Sequence, residues 1–212
     1  MLPSTIAAPV DVELIIKRSR FLTHLEPVAS TAEADEVIAR IRKLHWNANH
    51  NCVALVLGEL GDSARSSDDG EPSGTAGVPM LEVLRQRQMT DIVAVVTRYF
   101  GGIMLGAGGL VRAYSSAVSG ALDVAQIVHR RWLTEVTVEV PHADAGRIDN
   151  WLRDWAGTHN AVLGETHYGN LARLTVLIPP AEKEPFQADI AAISAGALKP
   201  AFGENRIADV PA

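Results

Sequence analysis

Ile92-Val93-Ala94-Val95-Val96-Thr97 is the stretch on which the fold turns. It is apolar up to its last residue and rich in β-branched side chains, the composition of a strand covered on both faces. A glycine-rich segment follows, Arg98-Tyr99-Phe100-Gly101-Gly102-Ile103-Met104-Leu105-Gly106-Ala107-Gly108-Gly109. Beyond it Leu110, Tyr114, Ala117, Val118, Ala121 and Ala125 keep a helical period, so a helix is predicted over about 108–128. Upstream, Pro79 stands where a first-turn proline is tolerated, ahead of Met80, Leu81, Val83 and Leu84, which predicts a short helix. The apolar run 52–57, closed by Gly58, predicts a second buried strand. Ser30-Thr31-Ala32-Glu33 has the form of a capping box, and Ala34, Val37, Ile38, Ile41 and Leu44 carry a helix over about 31–45. Before that helix, 12–26 reads as two short strands around Arg18-Ser19.

After Arg131 the texture changes. Val136, Val138 and Val140 alternate with Glu135, Thr137 and Glu139, one buried face and one solvated face. A boundary is placed there, giving domains 1–130 and 131–212. Ile148, Trp151, Leu152 and Trp155 predict a helix, and Gly169-Asn170 sits between strands at 161–168 and 171–178. Phe186, Ile190 and Ile193 predict another helix before a last strand near 198–202. The order strand, helix, strand, strand, helix, strand is that of a ferredoxin-like sandwich, and the whole chain is assigned to the α+β class.

Composition narrows the function. The 212 residues are 47% hydrophobic and 21% charged, as in a globular chain, and the single cysteine, Cys52, excludes an internal disulfide. No apolar run approaches the ~20 residues needed to span a bilayer, and the first ten residues lack the basic and apolar regions of a signal peptide. A cytoplasmic protein without membrane contact is expected. The net charge is −6: residues 1–130 hold 12 Lys and Arg against 14 Asp and Glu, and residues 131–212 hold 7 against 11. That balance excludes unspecific coating of nucleic acid and leaves local contacts. The candidate patches are Lys17, Arg18 and Arg20, and Arg40, Arg42 and Lys43 with His45; each can equally be a solvated face.

Two segments hold more chemistry than a connector needs. One is the glycine-rich segment, whose backbone amides suit a close anion or a tight helix–strand contact. The other is Asp68-Asp69-Gly70-Glu71-Pro72-Ser73-Gly74-Thr75-Ala76-Gly77. Known nucleotide signatures fail on spelling: no Gly-Lys-Ser or Gly-Lys-Thr occurs, and Val111 stands where a dinucleotide fingerprint needs glycine. His50 and Cys52 share a strand face, which permits a thiolate–imidazole pair or a small buried thiol. Ser73 lacks the flanking glycines of a nucleophile elbow, and no HExxH marks zinc. Asp68, Asp69 and Glu71 could take magnesium or cap their own backbone. Tyr99, Phe100 and Tyr114 beside Arg98 and Arg112 could stack unpaired bases, or belong to the core. Each arginine could hold an anion or pair with the loop carboxylates.

His50-Asn51-Cys52, the 68–77 run, and Thr97-Arg98-Tyr99-Phe100-Gly101-Gly102 through Gly106-Ala107-Gly108-Gly109-Leu110-Val111-Arg112-Ala113-Tyr114 resemble the signature of the IMPACT family, whose bacterial members include the YigZ-type proteins. The likeness runs from about residue 18 to 118. It implies a first domain like the second domain of a small-subunit ribosomal protein, an α/β sandwich with a left-handed βαβ crossover, here expected between 52–57 and 92–97. It implies a second domain like the last domain of elongation factor G. Eukaryotic relatives act in translational control, so the resemblance implies a translation-associated regulatory or binding protein that contacts RNA, the ribosome or a translation factor. A hydrolase or metal-dependent enzyme centred on the 68–77 loop is the alternative. The expected binding residues are Asp68, Asp69, Glu71, Ser73, Thr75, Arg98, Tyr99, Gly101, Gly102, Gly106, Gly108, Gly109 and Arg112, with no catalytic residue, metal or cofactor assigned. Where the family commonly has lysine this chain has Met104, which removes a cation from the rim of the glycine segment.

Overall fold

The structure is a computed structural model that describes residues 2–211; Met1 and Ala212, the outer ends of the expected domains, lie outside them. The chain divides into two compact units, Arg130–Val210 and the residues outside that span. Among the described residues no helix is long and apolar enough to cross a membrane.

The first unit contains β1 (Thr5–Ile6), β2 (Val10–Ile16), β3 (Ser19–Pro27), α1 (Thr31–Leu44), β4 (His50–Leu57), β5 (Ser63–Ser67), α2 (Gly77–Gln86), β6 (Ile92–Tyr99) and α3 (Ala107–Val124). The Ser30 half of the capping box forms, with Ser30 accepting from the Glu33 N–H, whereas the Glu33 carboxylate accepts from the Ala29 N–H, one residue before the N-cap. Its sheet runs β2-β3-β6-β4-β5, with every neighbouring pair antiparallel. The two apolar strands stand side by side near its centre, as their composition requires. Val53, Leu55, Val93 and Val95 pack under Val37, Ile38 and Ile41 of α1. Cys52, Ala54, Ala94 and Val96 point the other way, to Met80 and Leu84 of α2 and to Leu110, Tyr114 and Val118 of α3.

The crossover expectation is met on different strands. β4 and β6 are antiparallel, so no βαβ unit joins them. The parallel crossovers are β3-α1-β4 and β5-α2-β6, each spanning one intervening strand. They travel in opposite directions across the sheet, start from oppositely directed strands and pass over opposite faces. Reversing both directions leaves the sense of a crossover unchanged and moving it to the other face inverts it, so one of the two is left-handed, a rare arrangement.

Two elements differ from their expected extents. The α3 helix stops at Val124, because Ile127 and Val128 are claimed by β7 (Ile127–Val140), where they pair with Ile6 and Thr5 of β1. The β5 strand has no apolar signal at all; Ser-Ala-Arg-Ser-Ser forms an edge through its backbone pairing with β4.

The second unit continues β7 and adds α4 (His142–His159), β8 (Val162–Tyr168), β9 (Ala172–Ile178), α5 (Lys183–Ile193) and β10 (Ala201–Pro211). β7 lies between β9 and β10, and β8 flanks β9, the ferredoxin-like order. Val136, Val138, Val140, Leu174, Val176 and Ile178 meet Ile148, Leu152, Trp155, Phe186 and Ile190 of the helices. The last strand is longer than expected and begins later, at Ala201, because its exposed residues offer no apolar alternation to read.

Candidate functional site

The loop from Asp68 to Ala76 is tied together by its own first carboxylate. Asp68 accepts from the N–H groups of Gly74 at 2.8 Å, Ala76 at 3.0 Å and Gly77 at 2.8 Å. Burial pushes its carboxyl up, but the three backbone donors outweigh burial and hold it below the ordinary value. Asp69, at φ 45°, accepts from the Asn51 N–H at 2.6 Å and from Arg42 at 3.0 Å. Thr75 is buried and donates to the Pro72 carbonyl at 2.6 Å. Gly77 has to be glycine, since a Cβ there would lie 2.7 Å from the Ser67 nitrogen.

Glu71 leaves the loop for the interior. Its Oε1 accepts from Arg98 Nη1 at 2.6 Å and from the Tyr114 hydroxyl at 2.7 Å, with both charged side chains more than nine-tenths buried. Behind Tyr114 lies Cys52, whose Sγ donates to the Tyr114 oxygen at 3.3 Å and stands 3.0 Å from the Asp68 carbonyl. Burial pushes the Cys52 thiol up to about 12 and raises the Tyr114 phenol as well. The thiol is therefore a hydrogen-bond donor and not a nucleophile. Arg98 lies 5.4 Å from the Phe21 ring centroid and 5.6 Å from that of Phe100, and its Nε finds no partner among the described residues.

This ion pair floors a cavity of about 510 Å³. The walls come from both informative segments: Pro72 of the loop, Phe100, Met104 and Leu105 of the glycine segment, and Gly106, Ala107 and Leu110 at the start of α3, with Asn49 and His50 opposite. Phe100 is 47% exposed and Met104 84% exposed, so the rim is apolar and open to solvent. Gly106, at φ 73°, supplies no side-chain cap, which leaves the first-turn N–H groups of α3 free. A Cβ on Gly108 would lie 3.6 Å from Arg112 Nη1, so that guanidinium stands over the same turn. Arg112 has no ion-pair partner among the described residues. A second source of positive charge lies close by: Gly101 packs so tightly on the Lys17-Arg18 turn that a Cβ would come within 2.0 Å of the Arg18 carbonyl carbon.

Of the expected residues, Glu71, Arg98 and Gly106 line the cavity, with Gly108, Gly109 and Arg112 on the adjoining helical turn. Asp68, Asp69 and Thr75 hold the loop in shape, Ser73 and Gly102 are exposed, and Gly101 serves a close approach. Arg98 is spent on Glu71 and is not an open anion ligand. Tyr99 points to the opposite face of the sheet, where its hydroxyl meets His45 at 3.0 Å, because side chains alternate along β6. Tyr114 is fully buried, which leaves Phe100 as the accessible ring of the three. Sequence reasoning missed Asn49, Leu105, Ala107 and Leu110. It weighed His50 solely against Cys52, although the strand parity that pairs those two also pairs His50 with Arg98.

Comparison with known proteins places the chain in a family. Residues 17–122 match the family model described as "Impact N-terminal domain", and residues 138–197 match "Domain of unknown function (DUF1949)". The chain is 44% identical over 182 residues to "IMPACT family member YvyE" of Bacillus subtilis (strain 168), covering 86% of this chain and 82% of that one. It is 39% identical over 195 residues to "IMPACT family member YigZ" of Escherichia coli (strain K12), covering 91% and 94%. A crystal structure described as that of a hypothetical protein matches with a TM-score of 0.59 and 38% identity, over 96% of this chain and 98% of that one. A signature that builds one cleft, a domain match across it and relatives aligned along most of their length establish that the chain belongs to the IMPACT family.

Proposed function

We propose that the chain is a translation-associated regulatory protein that acts in the cytoplasm by binding a component of the translation apparatus in the cleft at the start of α3. The observation that carries this reading is the cleft itself: an open, apolar-walled cavity of about 510 Å³ beside helix N–H groups without a side-chain cap and an Arg112 that has no ion-pair partner among the described residues. It offers one subsite for an anion and one for an apolar group, the equipment of a binder. The family resemblance supports translation as the setting. Against the hydrolase alternative, each carboxylate of the 68–77 loop is already engaged, Asp68 by backbone donors, Asp69 by Asn51 and Arg42, and Glu71 by Arg98 and Tyr114. The thiol beneath them stays protonated.

Co-sedimentation with purified ribosomes tests the reading. Binding is expected at low salt, weakened by Arg112→Glu and by Phe100→Ala in proteins that remain folded, and unaffected by Lys43→Glu on the opposite face. If RNA phosphates form the contact, Arg112, Lys17 and Arg18 allow two or three of them and a log–log salt slope of about −1.4 to −2.1. Binding that ignores Arg112 and Phe100 but is lost with Lys43→Glu rejects the cleft.

A further inference from the structure

We infer that the floor of the cleft takes a terminal ribonucleoside, one base with the free 2′,3′-hydroxyl pair of its ribose. The inference rests on the binding role proposed above and names the chemistry seated in that cavity.

Two acceptors line the cavity without a donor. His50 gives its Nδ1 to the Asp69 carbonyl at 2.9 Å, and since a carbonyl only accepts, Nδ1 carries the proton. Gly70 covers that edge of the ring, where a Cβ would lie 3.5 Å from Nδ1. In the neutral imidazole Nε2 is then a lone pair, 3.9 Å from Glu71 Oε2. Glu71 supplies the second acceptor. Its Oε1 is used by Arg98 and Tyr114, whereas Oε2 accepts no hydrogen bond among the described residues, on a side chain that lines the cavity and is 3% exposed. A buried acceptor is costly to leave unsatisfied, so the complement of this floor is a ligand with two neighbouring donors.

Charge decides what carries those donors. An ammonium or guanidinium would have to share Glu71 with Arg98, whose Nη1 stands 2.6 Å from Oε1, and the positive charge already there opposes it. Two neutral hydroxyls on adjacent carbons meet no such opposition. Asn49 completes the polar side of the cavity: its Oδ1 accepts the Phe100 N–H at 2.8 Å, and its NH₂ remains to donate to a ribose oxygen.

The remaining walls suit a single base. Phe100 is 47% exposed, its amide is fixed by Asn49, and Arg98 lies over its ring at 5.6 Å, so a flat surface is held in place at the mouth. Unpaired bases are read by stacking on such rings, and a bound strand needs several of them. Phe100 is the accessible ring of the segment, since Tyr114 is fully buried and Tyr99 serves the other face of the sheet. Pro72, Leu105 and Leu110 add apolar surface around it. Within an RNA the adjacent hydroxyl pair exists at the 3′ end alone, because every internal 3′-oxygen is esterified. The site therefore takes an RNA 3′ end or a free nucleotide, and no internal sequence.

The test uses the full chain and the nucleoside 5′-monophosphates of the four bases, each in ribose and 2′,3′-dideoxy form, followed by amide chemical shifts. The ribose form of at least one base should move His50 and Phe100 and bind about a hundredfold more tightly than its dideoxy form, about tenfold for each acceptor satisfied. His50→Asn keeps an N–H near the Nδ1 position for the Asp69 carbonyl and removes the Nε2 acceptor. It should cut the ratio to about tenfold and leave the dideoxy affinity unchanged, whereas Phe100→Ala should weaken both forms alike. Two further arms separate the sources. An oligoribonucleotide that binds more tightly than the mononucleotide, and no longer binds once its 3′-oxygen is phosphorylated, assigns the site to RNA ends; mononucleotide binding that no oligonucleotide displaces assigns it to free nucleotides. Equal affinity for the ribose and dideoxy forms, no binding of any ribose form, or a ratio that His50→Asn leaves intact overturns the inference. If it falls while ribosome binding still depends on Arg112 and Phe100, the parent reading stands; ribosome binding that ignores both rejects that reading itself.

Discussion

The two units of the chain bury different things. Among the described residues the fully or nearly buried polar side chains include Ser19, Asn51, Glu71, Thr75, Thr97 and Arg98 in the first unit, whereas the second contributes Thr134 alone. The second core is apolar across β7, β9, α4 and α5, with Trp155 and Phe186 edge to face at 4.9 Å. Apolar packing is enough to hold a sandwich together. A buried ion pair adds little net stability, so its presence under a cavity marks a shape that the first unit must keep for another reason.

That contrast predicts the largest effect at Arg98. Arg98→Met should leave Glu71 buried without its counter-charge and cost about 3–5 kcal/mol, read by urea denaturation, whereas the double variant with Glu71→Leu should recover much of the loss. A double variant as unstable as the single one would show that the pair stabilises in its own right.

The reverse insult belongs to the second unit. Val138→Thr places a hydroxyl in a core with no partner for it and should cost about 1–3 kcal/mol. Thr97→Val in the first unit instead removes a 2.7 Å bond to Asn51, and should leave that amide unsatisfied at about 1–3 kcal/mol. Neutral outcomes at both sites would erase the distinction between the units.

A smaller effect is expected at Asp68. Asp68→Ala releases three backbone donors and should cost about 1–2 kcal/mol, as for a lost helix cap. The carboxyl is held below its ordinary value of 3.8, so its contribution is full above that pH and disappears as the pH falls through the lower folded value. Wild type and variant should therefore converge in acid and diverge above about pH 4. The smallest signal is a null one: with its thiol pushed up to about 12, Cys52 should resist alkylation at pH 8 until the first unit unfolds.

What could be read from the chain follows the same division. Alternating Val136, Val138 and Val140 announce a half-solvated strand, and the unbroken run Ile92 to Val96 announces a central one, because burial is written in side-chain type. β5 left no trace, since Ser63–Ser67 is held by backbone bonds that any residue can make. The loop and the glycine segment stood out by composition, but which side chains meet depended on strand parity and long-range register. Arg98 and Tyr99 are neighbours in sequence and face opposite sides of a sheet. Nothing in their order shows that Arg98 would be consumed by Glu71 while Arg112 finds no ion-pair partner among the described residues.

The account's central claim is that the cleft, and not the α1 face of the same sheet, is where the partner sits. Placing the photo-crosslinker p-benzoylphenylalanine at Met104 in one protein and at Trp46, 82% exposed on the α1 side, in another tests it directly. Irradiation with ribosomes should give a discrete adduct from position 104 and none from position 46. An adduct from position 46 with none from 104 would contradict the claim.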